Sequence, residues 1–84
     1  MSHGIKLEQT CGACPEQYDA FFNGELVGYL RLRHGFFSVR CPDSSGETVY
    51  EAQPRGDGLF EYEERGKYLE AACAAIRRWV NAQR

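Results

Sequence analysis

The residues of this 84-residue chain best suited to chemistry are its four cysteines and two histidines, and two of the cysteines form a Cys-x-x-Cys pair, Cys11-Gly12-Ala13-Cys14. Thiolates at this spacing can grip one side of a tetrahedral zinc ion, which needs four ligands. His34 is expected at the same end of the strands and is the best third ligand. Cys41-Pro42 is expected at the opposite end, ~20 Å away at about 3.4 Å of rise per residue. No fourth ligand is evident, so Cys11, Cys14 and His34 stand as zinc candidates against a reading as free thiols or a local disulfide, and no cofactor is expected. A thioredoxin-like use needs the first thiol at a helix N-terminus, whereas Pro15 and a strand pattern follow here. Cys41 and Cys73 fall on expected core faces, where a thiol packs as a small hydrophobe.

Catalysis by these residues is not expected. A nucleophile needs a base and an orienting group around a water-excluding pocket. The only histidines are His3, near a terminus, and His34, at a turn. Glu61, Glu63 and Glu64 read as charges at a helix start rather than an acid/base pair.

The elements that must position these residues can be read from turn chemistry and periodicity. Asn23-Gly24 and His34-Gly35 suit two-residue hairpin turns that require positive φ. Counting outward from them pairs Phe22 with Glu25, Phe21 with Leu26, Tyr18 with Tyr29, Arg33 with Phe36, Leu32 with Phe37 and Leu30 with Val39. Ile5 and Leu7 alternate with polar residues as a short first strand, joined onward through residues 11–15. Thr48 to Ala52 form a further strand after a polar turn, and residues 54–58 break the pattern. Leu69, Ala72, Cys73, Ile76 and Val80 recur at helical spacing. Acidic residues precede that stripe, and Arg77, Arg78 and Arg84 lie toward its end, which suits the helix dipole. Gly66 is costly inside a helix and is a possible true start. The expectation is an α+β single domain covering 1–84, an antiparallel meander of four to five strands over about 5–52 with one C-terminal helix over about 61–82 packed on one sheet face.

Alternation then sorts the side chains. Phe21, Leu26, Leu30, Leu32, Phe37, Val39 and Cys41 fall on the face beneath the helix. The other face collects Tyr18, Ala20, Phe22, Val27, Tyr29, Arg31, Arg33, Phe36, Ser38 and Arg40. Of these, Tyr18, Tyr29, Arg31, Arg33, Phe36 and Arg40 are candidate binding residues. Tyrosine and arginine are favoured anchors of protein interfaces, and rings among guanidinium groups also suit single-stranded nucleic acid. The plain alternative is a solvated face with arginines lying over rings.

Several runs together carry a resemblance: Cys14 to Asp19, Gly28 to Phe37, Thr48-Val49-Tyr50, Gly56 to Phe60 and Glu64 to Leu69. Across most of its length the chain resembles small uncharacterised proteins encoded by phages and prophages of actinobacteria. The resemblance implies a phage-related accessory protein and transfers no catalytic or binding residue. The formal net charge of −2 lacks the basic surplus of duplex nucleic-acid binders. No apolar run approaches a membrane span, and no secretory signal is visible. The expectation is therefore a non-enzymatic cytoplasmic interaction module for a protein partner or for self-association, with single-stranded nucleic-acid binding as the alternative.

Overall fold

Two turn pairs set the fold. Asn23 and Gly24 have φ of 53° and 84°, and His34 and Gly35 have φ of 54° and 73°, the positive values that a type I′ turn requires at both central positions. The computed structural model describes residues 3–13 and 15–83. It contains β1 (Lys6–Gly12), β2 (Glu16–Phe22), β3 (Glu25–Arg33), β4 (Phe36–Cys41), β5 (Glu47–Ala52) and α1 (Tyr62–Ala82). The five strands form one antiparallel sheet in chain order, and α1 packs on one of its faces against β3, β4 and β5. This is an α+β fold. No described helix is long and apolar enough to cross a membrane.

The second hairpin has the register that its turn dictates, from Arg33 opposite Phe36 through Leu32–Phe37 and Leu30–Val39 to Tyr29–Arg40. The first hairpin begins as expected, with Phe22 opposite Glu25 and Phe21 opposite Leu26, and then slips by one residue. Ala20 faces Gly28, so Val27 is an extra residue, a β-bulge. Bulges shift pairing by one, and one residue of shift changes which face is buried. Tyr18 therefore pairs with Leu30, not Tyr29, and is 8% exposed.

The expected faces are corrected accordingly. Tyr18, Ala20 and Val27 belong to the core, and Phe22 packs against it. Leu26, expected inside, is 43% exposed, on the outer side with its partner Phe21. Two further bulges leave Thr10 unpaired between β1 and β2 and Val49 unpaired between β5 and β4. Cys11 and Gly12 lie inside β1, opposite Gln17 and Glu16, rather than in the connecting loop.

The core joins Leu30, Leu32, Phe37, Val39 and Cys41 of the sheet to Ala72, Cys73, Ile76 and Val80 of α1. Small residues allow the two layers to approach closely: a side chain at Gly28 would begin 2.9 Å from Ile76 Cδ1. At one end Phe37 meets Phe60 edge-on at 5.0 Å and Tyr68 at 6.4 Å, while Phe60 and Tyr68 stack at 5.8 Å. Phe60, from the segment between β5 and α1, was not among the expected core residues.

The helix begins at Tyr62 and runs through Gly66. Glu64, in its first turn, accepts the backbone N–H of Glu61 at 3.0 Å, the return half of a capping box. Arg77 and Arg78 lie outside the last turn, which holds no basic residue among those described, and Arg84 lies outside the described residues. Arg77 instead sits over the Phe22 ring, 4.5 Å from its centroid, and donates to the His3 carbonyl at 2.9 Å.

Candidate functional site

The sheet face away from α1 is built by register. Cross-strand neighbours share a face, with Cβ atoms ~5 Å apart. One row therefore runs Cys11, Gln17, Arg31, Ser38, Glu51, and the next runs Glu8, Asp19, Tyr29, Arg40, Thr48. Arg33 and Phe36 close the face beside the His34-Gly35 turn. Five of the six candidate binding residues, Tyr29, Arg31, Arg33, Phe36 and Arg40, are thus brought together. Tyr18 is not.

Arg31 and Arg33 are alternate residues of β3, so their side chains leave the same face ~7 Å apart. Arg31 is half-buried and Arg33 exposed. Together with His34, Phe36 and Ser38 they line an open depression of about 400 Å³. Phe36, 41% exposed, is the hydrophobic side chain in that lining. A smaller depression of about 260 Å³ lies on the other side of Arg33 and His34, against Asp57 and Gly58. The turn between them is held by a hydrogen bond from Gly35 N–H to the Asp57 carbonyl at 2.6 Å.

Most other arginines of the described chain are engaged. Arg55 pairs with Glu61 at 3.2 Å, Arg65 with Glu16 at 2.9 Å, and Arg40 donates to the Ser44 carbonyl at 3.4 Å. Among the described residues the side chains of Arg31 and Arg33 have no hydrogen-bond or ion-pair partner. The face carries mixed charge, because Glu8, Asp19 and Glu51 share it with the arginines.

The cysteines provide no second centre in the described residues. Cys11 is half-buried, its Sγ 3.6 Å from the Ala13 carbonyl. Cys14 lies outside the described residues. Among those described, no group of three or more His, Cys, Asp and Glu is placed to hold a metal ion. Burial, helped by Glu47, pushes Cys41 up to about 12, and burial with Glu70 pushes Cys73 up to about 11. Both are therefore held as protonated thiols at neutral pH, unsuited to nucleophilic attack.

Beneath the opposite face lies a polar network that sequence reading missed. Glu16 is fully buried. It accepts hydrogen bonds from Tyr18 Oη, from the Phe60 N–H at 2.9 Å, and from Arg65 Nε at 2.9 Å and Nη2 at 3.2 Å. Glu64 likewise accepts the N–H groups of Arg55 at 2.9 Å and Gly56 at 2.8 Å. Two carboxylates thus pin the segment between β5 and α1. The available signal was Glu16 at the same strand phase as Tyr18 and Ala20, but only the bulge reveals that this phase is buried.

Burial alone would raise the Glu16 carboxyl, but the Arg65, Tyr18 and Phe60 donors outweigh it and hold it below its ordinary 4.5. The same balance, with the Glu61, Arg55 and Gly56 N–H groups as donors, lowers Glu64. A carboxylate with a lowered folded pKa stabilises the fold above its unfolded pKa, and that stability is lost as pH falls through the folded value. Urea midpoints are therefore expected to be flat at neutral pH and to decline below about pH 4.5. In Glu16→Gln the acid-side decline should be shallower, and an unchanged slope would refute this assignment.

Fold and site together define a one-sided α+β sheet domain whose open face carries an arginine-centred depression beside an aromatic ring. No family model matches the chain, and no curated protein or solved structure is significantly similar to it.

Proposed function

We propose that this protein is a small non-enzymatic interaction module that docks a partner protein on the open face of its sheet, in the cytoplasm, as a phage-related accessory protein. The observation that carries the reading is the pair of unpartnered guanidinium groups, Arg31 and Arg33, beside exposed Phe36. Arginine and aromatic anchors of this kind dominate the energetics of protein interfaces. Copy-to-copy pairing through the sheet edges is disfavoured, because β1 and β5 each carry a bulge, which interrupts an edge as a template.

The nucleic-acid alternative draws on the same arginines and rings. It is weakened by the removal of Tyr18 to the core and by the carboxylates of Glu8, Asp19 and Glu51 on the same face as the arginines. Stacking and phosphate attraction need rings and a basic field together.

Site-specific photo-cross-linking in the native cell tests the proposal. A photoreactive residue at Phe36 or Ser38 is expected to give discrete adducts that disappear in Arg31→Glu/Arg33→Glu. The same residue at Glu63, on the exposed side of α1, should give none of these. Absence of adducts from the sheet face overturns the reading.

A further inference from the structure

We infer that the depression around Arg31 and Arg33 recognises an extended acidic segment of a partner protein, with carboxylates on alternate residues. The inference rests on the docking reading above and adds the chemistry of the docked element. Three features of the face support it. The first is unpaired charge: among the described residues neither guanidinium group has a protein acceptor, and Arg31 is half-buried. A guanidinium fork matches a carboxylate in two parallel hydrogen bonds, the strongest neutral-pH partner that a protein offers it.

The second feature is spacing. Arg31 and Arg33 project from one strand face ~7 Å apart, and side chains two residues apart in any extended chain have that same separation. A segment with the pattern acidic–any–acidic, laid along β3, would set one carboxylate against each guanidinium. Adjacent acidic residues would point to opposite sides, so only one could be met. The third feature is what surrounds the pair. Ser38 and His34 line the same depression and can add polar contacts, while Phe36 offers apolar surface to a ring or aliphatic group flanking the second carboxylate. Arg40, on the neighbouring row beside Tyr29, extends the positive potential but is partly engaged by Ser44.

Charge complementarity also limits the orientation. Glu51 lies two strands from Arg31 in its row, and Asp19 lies on β2 in the neighbouring row, beside Tyr29. A broad, uniformly acidic surface would be repelled there, whereas a single narrow strand following β3 would not. Nucleic acid is disfavoured as the occupant because Tyr18 lies in the core, which leaves fewer rings on this face for bases to stack on.

The test is fluorescence anisotropy with the whole protein and three fluorescein-labelled probes at low ionic strength. The first is the peptide Gly-Ser-Glu-Val-Glu-Phe-Ser-Gly. The second has the same composition with the two glutamates adjacent, and the third is a short oligothymidylate. Saturable binding of the first peptide, several-fold tighter than the second and weakened by added salt, supports the inference. Arg31→Ala and Arg33→Ala should each weaken it at least about tenfold. Arg33→Lys should recover only part of the loss, because an ammonium lacks the fork. Arg78→Ala, on exposed helix surface, should bind as the parent does, and unchanged thermal melts would show that the sheet variants remain folded.

Absence of saturable binding, equal binding of the two peptides, or tighter binding of the oligonucleotide overturns it. Should the peptide fail while cross-links at Phe36 persist, the acidic-strand assignment falls and the docking reading stands. Should both fail, both fall.

Discussion

Replacing Glu16 by alanine is expected to destabilise the protein by about 3–5 kcal/mol, the range for breaking a buried charged pair by removing one partner. The fully buried carboxylate satisfies three groups at once: the Tyr18 hydroxyl, the Phe60 amide and the Arg65 guanidinium. Its removal leaves Tyr18 and Phe60 as buried donors without acceptors and opens a cavity under the segment that leads into α1. Arg65 can recover part of its loss, since its side chain is about one-third exposed, so Arg65→Ala should cost clearly less than Glu16→Ala. Domains of this size have a total stability of about 5–15 kcal/mol, so the variant would be marginal. At ~4–8 °C per kcal/mol, its Tm should drop by about 12 °C or more. Fluorescence of the single tryptophan, Trp79, whose indole donates to Glu47 at 2.7 Å, follows the unfolding. A loss below about 1 kcal/mol would show that the network is not what holds this corner. Because Glu16 lies on the helix side of the sheet, the outer arginines should keep their ligand preference at temperatures where the variant is folded.

Gly56→Ala is expected to have a comparable effect for a different reason. Gly56 is buried, its N–H donates to Glu64 at 2.8 Å, and an added Cβ would overlap the carbonyl group of Leu59. Overlap with a flexible side-chain tip can be relieved by rotation, but here the obstacle is backbone. That backbone is held at both ends, by Glu64 bonding Arg55, Gly56 and Glu61 and by Glu16 bonding Phe60. Forced overpacking of this kind costs about 3 kcal/mol at the upper end of its usual range. Amide exchange should quicken first at Arg55, Gly56 and Glu61, because relief of the clash requires the Glu64 contacts to open. A variant with parental exchange at those amides and a denaturation midpoint unchanged would refute the close approach. Asp57, which accepts from Gly35, lies in the same segment, so this substitution should also loosen the turn that carries His34. The Glu16 variant and the Gly56 variant thus probe one structural clamp from its two sides.

What the residues dictate locally was legible in the chain. Asn23-Gly24 and His34-Gly35 specify hairpins because few residue pairs accept two consecutive positive φ angles. The stripe Leu69, Ala72, Cys73, Ile76 and Val80 specifies one buried helix face because spacing alone determines it. From these alone follow the meander, the helix, the burial of Leu30, Leu32, Phe37 and Val39, and the placement of Tyr29, Arg31, Arg33, Phe36 and Arg40 on the open side. The bulge at Val27 was not legible. An extra residue in one strand has no composition signature, since the pairing partner decides it, and Gly28 opposite Ala20 makes room there for Ile76. That one slip moved Tyr18, Ala20, Val27 and Phe22 to the helix side and Leu26 outward. It also carried Glu16, in phase with Tyr18, to the helix side, where it is the buried centre of a network.

Turn chemistry and periodicity act over a few residues, so the sequence alone determined the elements, their order and the hairpin nearest the arginines. Cross-strand register and the seating of the 53–61 segment depend on contacts between residues far apart in the chain. Only the tertiary structure could therefore decide which carboxylates are buried, which arginines they neutralise, and that Arg31 and Arg33 are left without one.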